Sequence, residues 1–176
     1  VTTLNLEDNA LGKDGVNPIF WALRRNCSLF SLDLSSNDCD TGTSTALGTY
    51  LRSEECSLSK LTLQSADVSD EECAMFVRQI QSNPKTELAY LDLSRNIIGL
   101  SENRNLVNPD FQTGGEALAD WLCTPTCKLK YLDVSWNAIR GDSARALGNA
   151  LGMNQSLQKL MLSYNGLGEA GGEAVG

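Results

Sequence analysis

The chain has 176 residues and a mass of 19.0 kDa, with 22 acidic and 14 basic side chains, no histidine, six cysteines and 41% apolar residues. A net charge of -8 argues against nucleic acid or an anionic membrane as a general partner, because phosphate recognition needs clustered lysine and arginine. Without histidine every Ser-His, Cys-His and His-ligated metal mechanism is excluded, and no apolar run approaches the ~20 residues of a membrane span.

One pattern, L-x-x-L-x-L-x-x-N-x-L, starts six times, at Val1, Leu29, Leu58, Leu88, Leu129 and Leu157, with spacings of 28, 29, 30, 41 and 28 residues. It divides the chain into repeats 1–28, 29–57, 58–87, 88–128, 129–156 and a truncated 157–176. In the first copy Leu4 and Leu6 point to one face of a short strand while their neighbours point to the other. The spacing predicts strands near 2–6, 30–34, 59–63, 89–93, 130–134 and 158–162. After each strand comes an asparagine able to bond loop backbone that the turn leaves unpaired: Asn9, Asn37, Asn96, Asn137 and Asn165. Ala66 replaces it in the third copy, so groups there need another partner.

A helix of about three turns is expected behind each strand, from apolar pairs four residues apart such as Phe20 with Leu23, Leu47 with Leu51 and Leu147 with Leu151. Ser69 with Glu72 and Thr113 with Glu116 read as capping boxes, and Pro84 and Pro125 fall where those helices should stop. A single strand-helix unit cannot bury its own apolar face, and stacking copies at roughly 4.8 Å between strands supplies the core.

These features resemble the leucine-rich repeats of the long, ribonuclease-inhibitor-like type. The resemblance rests on the period, on the strand-leading motifs Cys27-Ser28-Leu29, Cys56-Ser57-Leu58 and Asn154-Gln155-Ser156-Leu157, and on the helix pattern from Ala146 to Leu151. It implies an α/β, right-handed horseshoe solenoid with a parallel sheet on the concave face and helices on the convex face. LDVSWN (Leu132 to Asn137) and LMLSYN (Leu160 to Asn165) are most similar to cytosolic and ciliary repeat scaffolds and to the sensor domains of NOD-like receptors. The function so implied is a non-enzymatic protein-protein scaffold or recognition module, intracellular and cytoplasmic, with cilium or cytoskeleton association and membership of a larger assembly as further expectations. The family offers two alternatives, a GTPase-activating-type regulator of a small GTPase and the ligand-sensing section of an innate immune receptor. Neither end carries a polar capping element, so the chain reads as a section of a longer array.

Cysteines 27, 56 and 127 each stand two residues before a strand start, Cys39 fills an apolar repeat slot, and Cys73 and Cys123 lie on helices. That regularity predicts reduced, mostly buried structural thiols rather than a zinc site or disulfides, and no cofactor is implied. The sequons at Asn26 and Asn154 coincide with the strand-leading motif and read as structural. Asp33, Asp92 and Asp133 share one outward strand position, where a solvated residue is needed without any acid-base role. Gly114-Gly115 and Gly171-Gly172 stand at expected helix starts but lack the lysine of a phosphate-binding loop.

The repeat register also assigns the exposed face: the second, third, fifth, seventh and eighth positions should point out of the sheet. The third repeat offers Ser59, Lys60, Thr62, Gln64 and Ser65, which give little grip. From the fourth onward aromatics and cations enter. Tyr90 and Tyr131 share one row, Arg95, Trp136 and Tyr164 another, and Met161 takes the fifth position of the sixth repeat. Residues 1–88 carry 13 acidic and 7 basic side chains, the remainder 9 and 7, so the aromatic half is also the less acidic. Exposed aromatics and arginine dominate protein interfaces. The fourth repeat holds an insertion near 99–112 containing Leu100, Arg104, Leu106, Val107 and Phe111, which should wall one side of the aromatic patch. The expected partner-binding set is Tyr90, Arg95, Tyr131, Trp136, Met161, Tyr164, Arg104 and Phe111, with Trp136 as anchor.

Overall fold

The computed structural model describes residues 1–101, 108 and 110–175. Strands and helices alternate through the six repeats: β1 (Thr3–Asn5), α1 (Lys13–Leu23), β2 (Ser31–Asp33), α2 (Thr41–Arg52), β3 (Lys60–Thr62), α3 (Asp70–Gln81), β4 (Tyr90–Asp92), α4 (Gly114–Leu122), β5 (Tyr131–Asp133), α5 (Gly141–Met153), β6 (Lys159–Met161) and α6 (Gly168–Val175). The strands form one sheet in chain order, and every neighbouring pair is parallel. Register follows the sequence repeat residue by residue, with Leu61 beside Leu91, Leu91 beside Leu132 and Tyr90 beside Tyr131. Helix crossovers between parallel neighbours are right-handed. Strands pack ~4.8 Å apart and helices ~8–10 Å apart, so the stack bends with its sheet inside. The result is a right-handed α/β solenoid with a concave sheet and convex helices.

The leucines at the first, fourth and sixth repeat positions make the core, with Leu58, Leu61, Leu63, Leu88, Leu91 and Leu93 all buried. From the helix side Phe76 and Trp121 are the largest fully buried side chains. Leu4, Leu6, Leu160 and Leu162, with a neighbouring repeat on one side only, are partly buried.

Each strand has three residues rather than the five expected. Inter-repeat bonding continues past the strand, as in Leu6 N–H to the Asp33 carbonyl (2.9 Å) and Asp8 N–H to the Ser35 carbonyl (3.0 Å). The chain then turns through a left-handed residue at the eighth position of every repeat: Asp8, Ser36, Ser65, Arg95, Trp136 and Tyr164, with φ between 52° and 58°. In three repeats the seventh position is buried, at Ser35, Ser94 and Ser135, a correction to the outward placement expected of it there, whereas Glu7 and Ser163 are exposed as expected.

The asparagine ladder serves the preceding repeat. Asn96 accepts from the Ala66 and Val68 amides (2.9 and 3.0 Å) and donates to the carbonyls of Leu63 and Leu93 (2.8 and 2.9 Å). Where Ala66 interrupts the ladder, the Cys39 amide bonds the Ala66 carbonyl at 2.9 Å instead. A second asparagine row closes the opposite edge of the stack: Asn83 donates to the carbonyls of Leu51 and Ser53 (both 2.9 Å), and Asn154 to that of Leu122 (2.7 Å).

Thr113 and Glu116 form the full capping box of α4. Ser69 caps α3 differently, accepting from the Glu71 amide and bonding the Glu72 carboxylate, whose other oxygen receives the Thr41 hydroxyl at 2.9 Å. The neighbouring repeat's hydroxyl pulls Glu72 away from the backbone position a capping box requires. Both helices stop before Pro84 and Pro125, at Gln81 and Leu122. All six cysteines are free thiols, and Cys39, Cys56, Cys73 and Cys127 are buried. Cys27 and Cys123 are exposed, so four of the six thiols occupy the buried slots expected of most of them.

Candidate functional site

Parallel in-register strands place identical repeat positions ~4.8 Å apart, close to the thickness that planar side chains need to stack. On the sheet face this produces two stacked rows. At the third position the Tyr90 and Tyr131 rings lie parallel with centroids 4.3 Å apart. The Lys60 ammonium covers the Tyr90 face at 4.7 Å and Lys159 the Tyr131 face at 5.3 Å, so a cation closes each end of the stack. At the eighth position Trp136 and Tyr164 stack at 3.8 Å and 18°, and the Arg95 guanidinium lies over Trp136 at 4.9 Å. Trp136 remains 45% exposed and Tyr164 68%, so stacking leaves much of this row open to a partner.

Between the rows runs the fifth position. Asp33, Asp92 and Asp133 each accept the amide two residues on, from Ser35 (3.0 Å), Ser94 (2.9 Å) and Ser135 (2.9 Å), which fixes the turn after the strand. Asp133 also accepts from the Ser135 hydroxyl (2.6 Å) and the Tyr131 hydroxyl (3.2 Å). These carboxylates are turn-formers rather than a converging acid-base pair. Desolvation and the adjacent Asp133 push the Tyr131 phenol upward, and desolvation and Asp92 do the same for Tyr90, so both rings stay neutral donors at physiological pH. Met161 occupies this position in β6, beside Asp133.

The structure thus brings Tyr90, Arg95, Tyr131, Trp136, Met161 and Tyr164 onto one face. Phe111 is elsewhere, which corrects its expected place beside the aromatic patch, while the middle of the insertion lies outside the described residues. Its described arm runs along the outer surface of α3, where Phe111 and Asp110 line a groove of about 410 Å³ with Ala74, Met75 and Arg78. Gln112 accepts from Arg78 at 2.9 and 3.2 Å and donates to Asp120 at 2.6 Å. Arg104, Leu106 and Val107 lie outside the described residues.

The reason for this placement is Asp70. It is fully buried at the start of α3, and its carboxylate accepts the amides of Gly99, Ser101 and Gly114, all at 2.8 Å. The two ends of the insertion are thereby pinned together on the third repeat. Gly99 is required there: its φ is 88°, and a Cβ would stand 2.5 Å from the Ala138 carbonyl oxygen. The Gly114 amide, a possible anion donor by sequence, is already taken by Asp70. An acidic first turn after Ser69 signals only a helix start, since the three donors lie 29 to 44 residues downstream.

Among the described residues no cluster of three metal-ligating side chains exists, and no helix is long and apolar enough to cross a membrane. The family model described as "Leucine Rich repeat" matches residues 1–20, 127–148 and 154–176. The chain is 29% identical to a pig (Sus scrofa) ribonuclease inhibitor over 174 residues, covering 98% of this chain and 35% of that protein. It is 29% identical to the mouse (Mus musculus) NACHT, LRR and PYD domains-containing protein 12 over 169 residues, covering 96% of this chain and 15% of that one. Among solved structures the Caenorhabditis elegans tropomodulin C-terminal domain superposes with a TM-score of 0.62 at 16% identity, over 91% of this chain and 88% of that one. The chain therefore spans about a third or less of the curated relatives it matches, while its six in-register strands alternate with helices and carry an asparagine ladder interrupted at Ala66. Its fold is that of a leucine-rich repeat solenoid, and its sequence is similar to the ribonuclease-inhibitor-like type.

Proposed function

We propose that the chain is a non-enzymatic recognition module, the repeat section of a larger intracellular protein, which binds a partner protein through its sheet face with Trp136 as anchor. The observation that carries this reading is the exposed Arg95, Trp136 and Tyr164 stack on left-handed backbone. A bulky residue in that conformation costs roughly 1 to 2 kcal/mol, and Asp8, Ser36 and Ser65 make the same turn with small or short polar side chains. The fold therefore gains nothing by placing tryptophan there, whereas an exposed tryptophan beside arginine and tyrosine is what a protein interface uses. Tyr90, Tyr131 and Met161 extend the face, and the rigid stack of repeats supports binding with little rearrangement. Similarity to a protein named as an inhibitor of a ribonuclease supports binding rather than catalysis as the role. The test is Trp136→Ala, which weakens partner binding by about 2 kcal/mol while leaving the fold intact.

A second reading, the ligand-sensing section of a multidomain receptor, is supported by the similarity to a protein with NACHT and PYD domains. The full-length transcript tests it: a nucleotide-binding domain upstream of Val1 favours the receptor, and any other domain order removes it.

A further inference from the structure

The convex side carries a second unpartnered surface, independent of the sheet face. Trp21, at 73% exposure, stands on α1 between two adjacent hollows. One, of about 780 Å³, lies between α1 and α2 and is lined by Phe20, Trp21, Thr45, Ala46, Thr49 and Tyr50; the other, of about 330 Å³, is formed by Trp21, Ala22, Arg24 and Arg25.

The first hollow has a cause in the sequence. The twentieth position of a repeat faces the next helix, and it is Gly48 in the second repeat and Gly148 in the fifth. A Cβ at Gly48 would stand 2.9 Å from the Gln79 side chain, and at Gly148 2.5 Å from Ala174, so those helices pack tightly. In the first repeat the same position is Phe20, whose ring meets that of Tyr50 at 5.6 Å and holds α1 off α2. The floor is chemically quiet as well. No charged residue occurs in α2 before Arg52, and the hydroxyls of Thr45 and Thr49 bond back to the carbonyls of Thr41 and Thr45 at 2.7 and 2.8 Å. On the α2 side, covering this surface desolvates no charge and strands neither threonine hydroxyl; Asn17 and Arg24 are the polar groups that α1 contributes to the lining.

The rim is charged. Arg24 and Arg25 stand in the more acidic half of the chain, yet among the described residues neither has an ion-pair or side-chain hydrogen-bond partner. The chain itself shows how such an outer surface is covered: over α3, Asp110-Phe111-Gln112 lies along the helix, with Phe111 facing Ala74 and Met75 and Gln112 bonded to Arg78. The α1–α2 surface has the same apolar bed and arginine rim without such a segment. We propose that it docks an acidic peptide segment of a partner protein, with an aromatic or leucine side chain in the hollow beside Trp21 and carboxylates on Arg24 and Arg25.

The probe is a random peptide library displayed on phage and selected against the immobilised chain. The expected sequences carry at least two carboxylates beside an aromatic or leucine residue. Synthesised as free peptides, they lose about tenfold or more in affinity for Trp21→Ala and for the double variant Arg24→Glu with Arg25→Glu, and keep it for Arg24→Lys with Arg25→Lys. Thermal melting of each variant at the wild-type temperature separates loss of the site from loss of the fold. Recovery of only basic or uncharged sequences, of acidic sequences indifferent to these substitutions, or of none overturns the proposal. Dimerisation in sedimentation that Trp21→Ala abolishes also overturns it, since the occupant is then a second copy of the chain.

Discussion

The third repeat leaves its strand through Ser65 and Ala66, and the fifth through Trp136 and Asn137, on the same backbone. Ser65 and Trp136 have φ of 52° and 56°, and each donates its amide to the repeat that follows, to Ser94 and Ser163 respectively. One residue later the contrast falls on the buried side, where Asn137 bonds the carbonyls of Leu93, Val134 and Ser135 and accepts the Ile98 amide, while Ala66 offers only its main chain. The solenoid therefore tolerates variation at both positions, but for different reasons. The asparagine is replaceable because a neighbouring carbonyl can take the orphaned amide. The exposed position is free because the turn is made by backbone alone, and a side chain there answers to something outside the fold.

The helix starts give the largest way to sharpen this contrast. Asp70 opens α3 as a buried acceptor of three amides, whereas Asp142 in the first turn of α5 is exposed and bonds Arg145 at 2.7 Å. Asp70→Ala strands those amides in the core and should lower unfolding stability by about 3 kcal/mol or more, whereas Asp142→Ala should stay within about 0.5 kcal/mol. Urea unfolding of the two variants checks this, and equal effects would remove the clamp from the account. Next in size is Asn137→Ala, expected to cost about 2 kcal/mol because four backbone bonds are lost at a site that has not adapted as Ala66 has. A cost near zero would mean that the ladder is dispensable in every repeat.

Trp136→Gly should change stability by less than about 0.5 kcal/mol, since relief of the left-handed backbone offsets the lost stacking on Tyr164. A loss of several kcal/mol would show that the aromatic row holds the fold together, and would break the contrast with Ser65. The smallest effect concerns the thiols. Ellman's reagent should modify Cys27 and Cys123 in the native protein and reach Cys39, Cys56, Cys73 and Cys127 only after unfolding. Burial, the largest influence, pushes the Cys39 thiol up from 9.0 to about 11. The unfolded thiol ionises near 9.0, so the stability held by the neutral buried form is complete below that pH and is lost as pH rises toward about 11. Denaturant midpoints recorded across that range should fall; a flat profile contradicts the burial.

Much of this was legible in advance because a repeat converts sequence position into spatial position. Once Leu91 and Leu132 are aligned, Tyr90 must lie beside Tyr131 and Trp136 beside Tyr164, and the structure stacks both pairs. At the seventh position Ser35, Ser94 and Ser135 depart from the outward placement because alternation assumes an extended chain, and the left-handed eighth residue ends that alternation early. The path of the insertion's described ends is hidden for a different reason. Its apolar residues suggest a packed loop, but its direction is set by Asp70 and Arg78, whose partners are remote in sequence and belong to the one repeat that breaks the register. The α1–α2 surface was missed because Phe20 and Trp21 fit an amphipathic helix, and only the neighbouring helix shows which of the two is left uncovered.

The claim that the sheet face is the recognition surface is tested most directly by affinity purification of the full-length protein from its native cell, comparing wild type with Trp136→Ala and quantifying co-purified proteins alongside the melting temperature of each bait. The account predicts that at least one stoichiometric partner is depleted about tenfold or more from the Trp136→Ala bait at an unchanged melting temperature. An unchanged set of partners in unchanged amounts would contradict it and place recognition elsewhere on the solenoid.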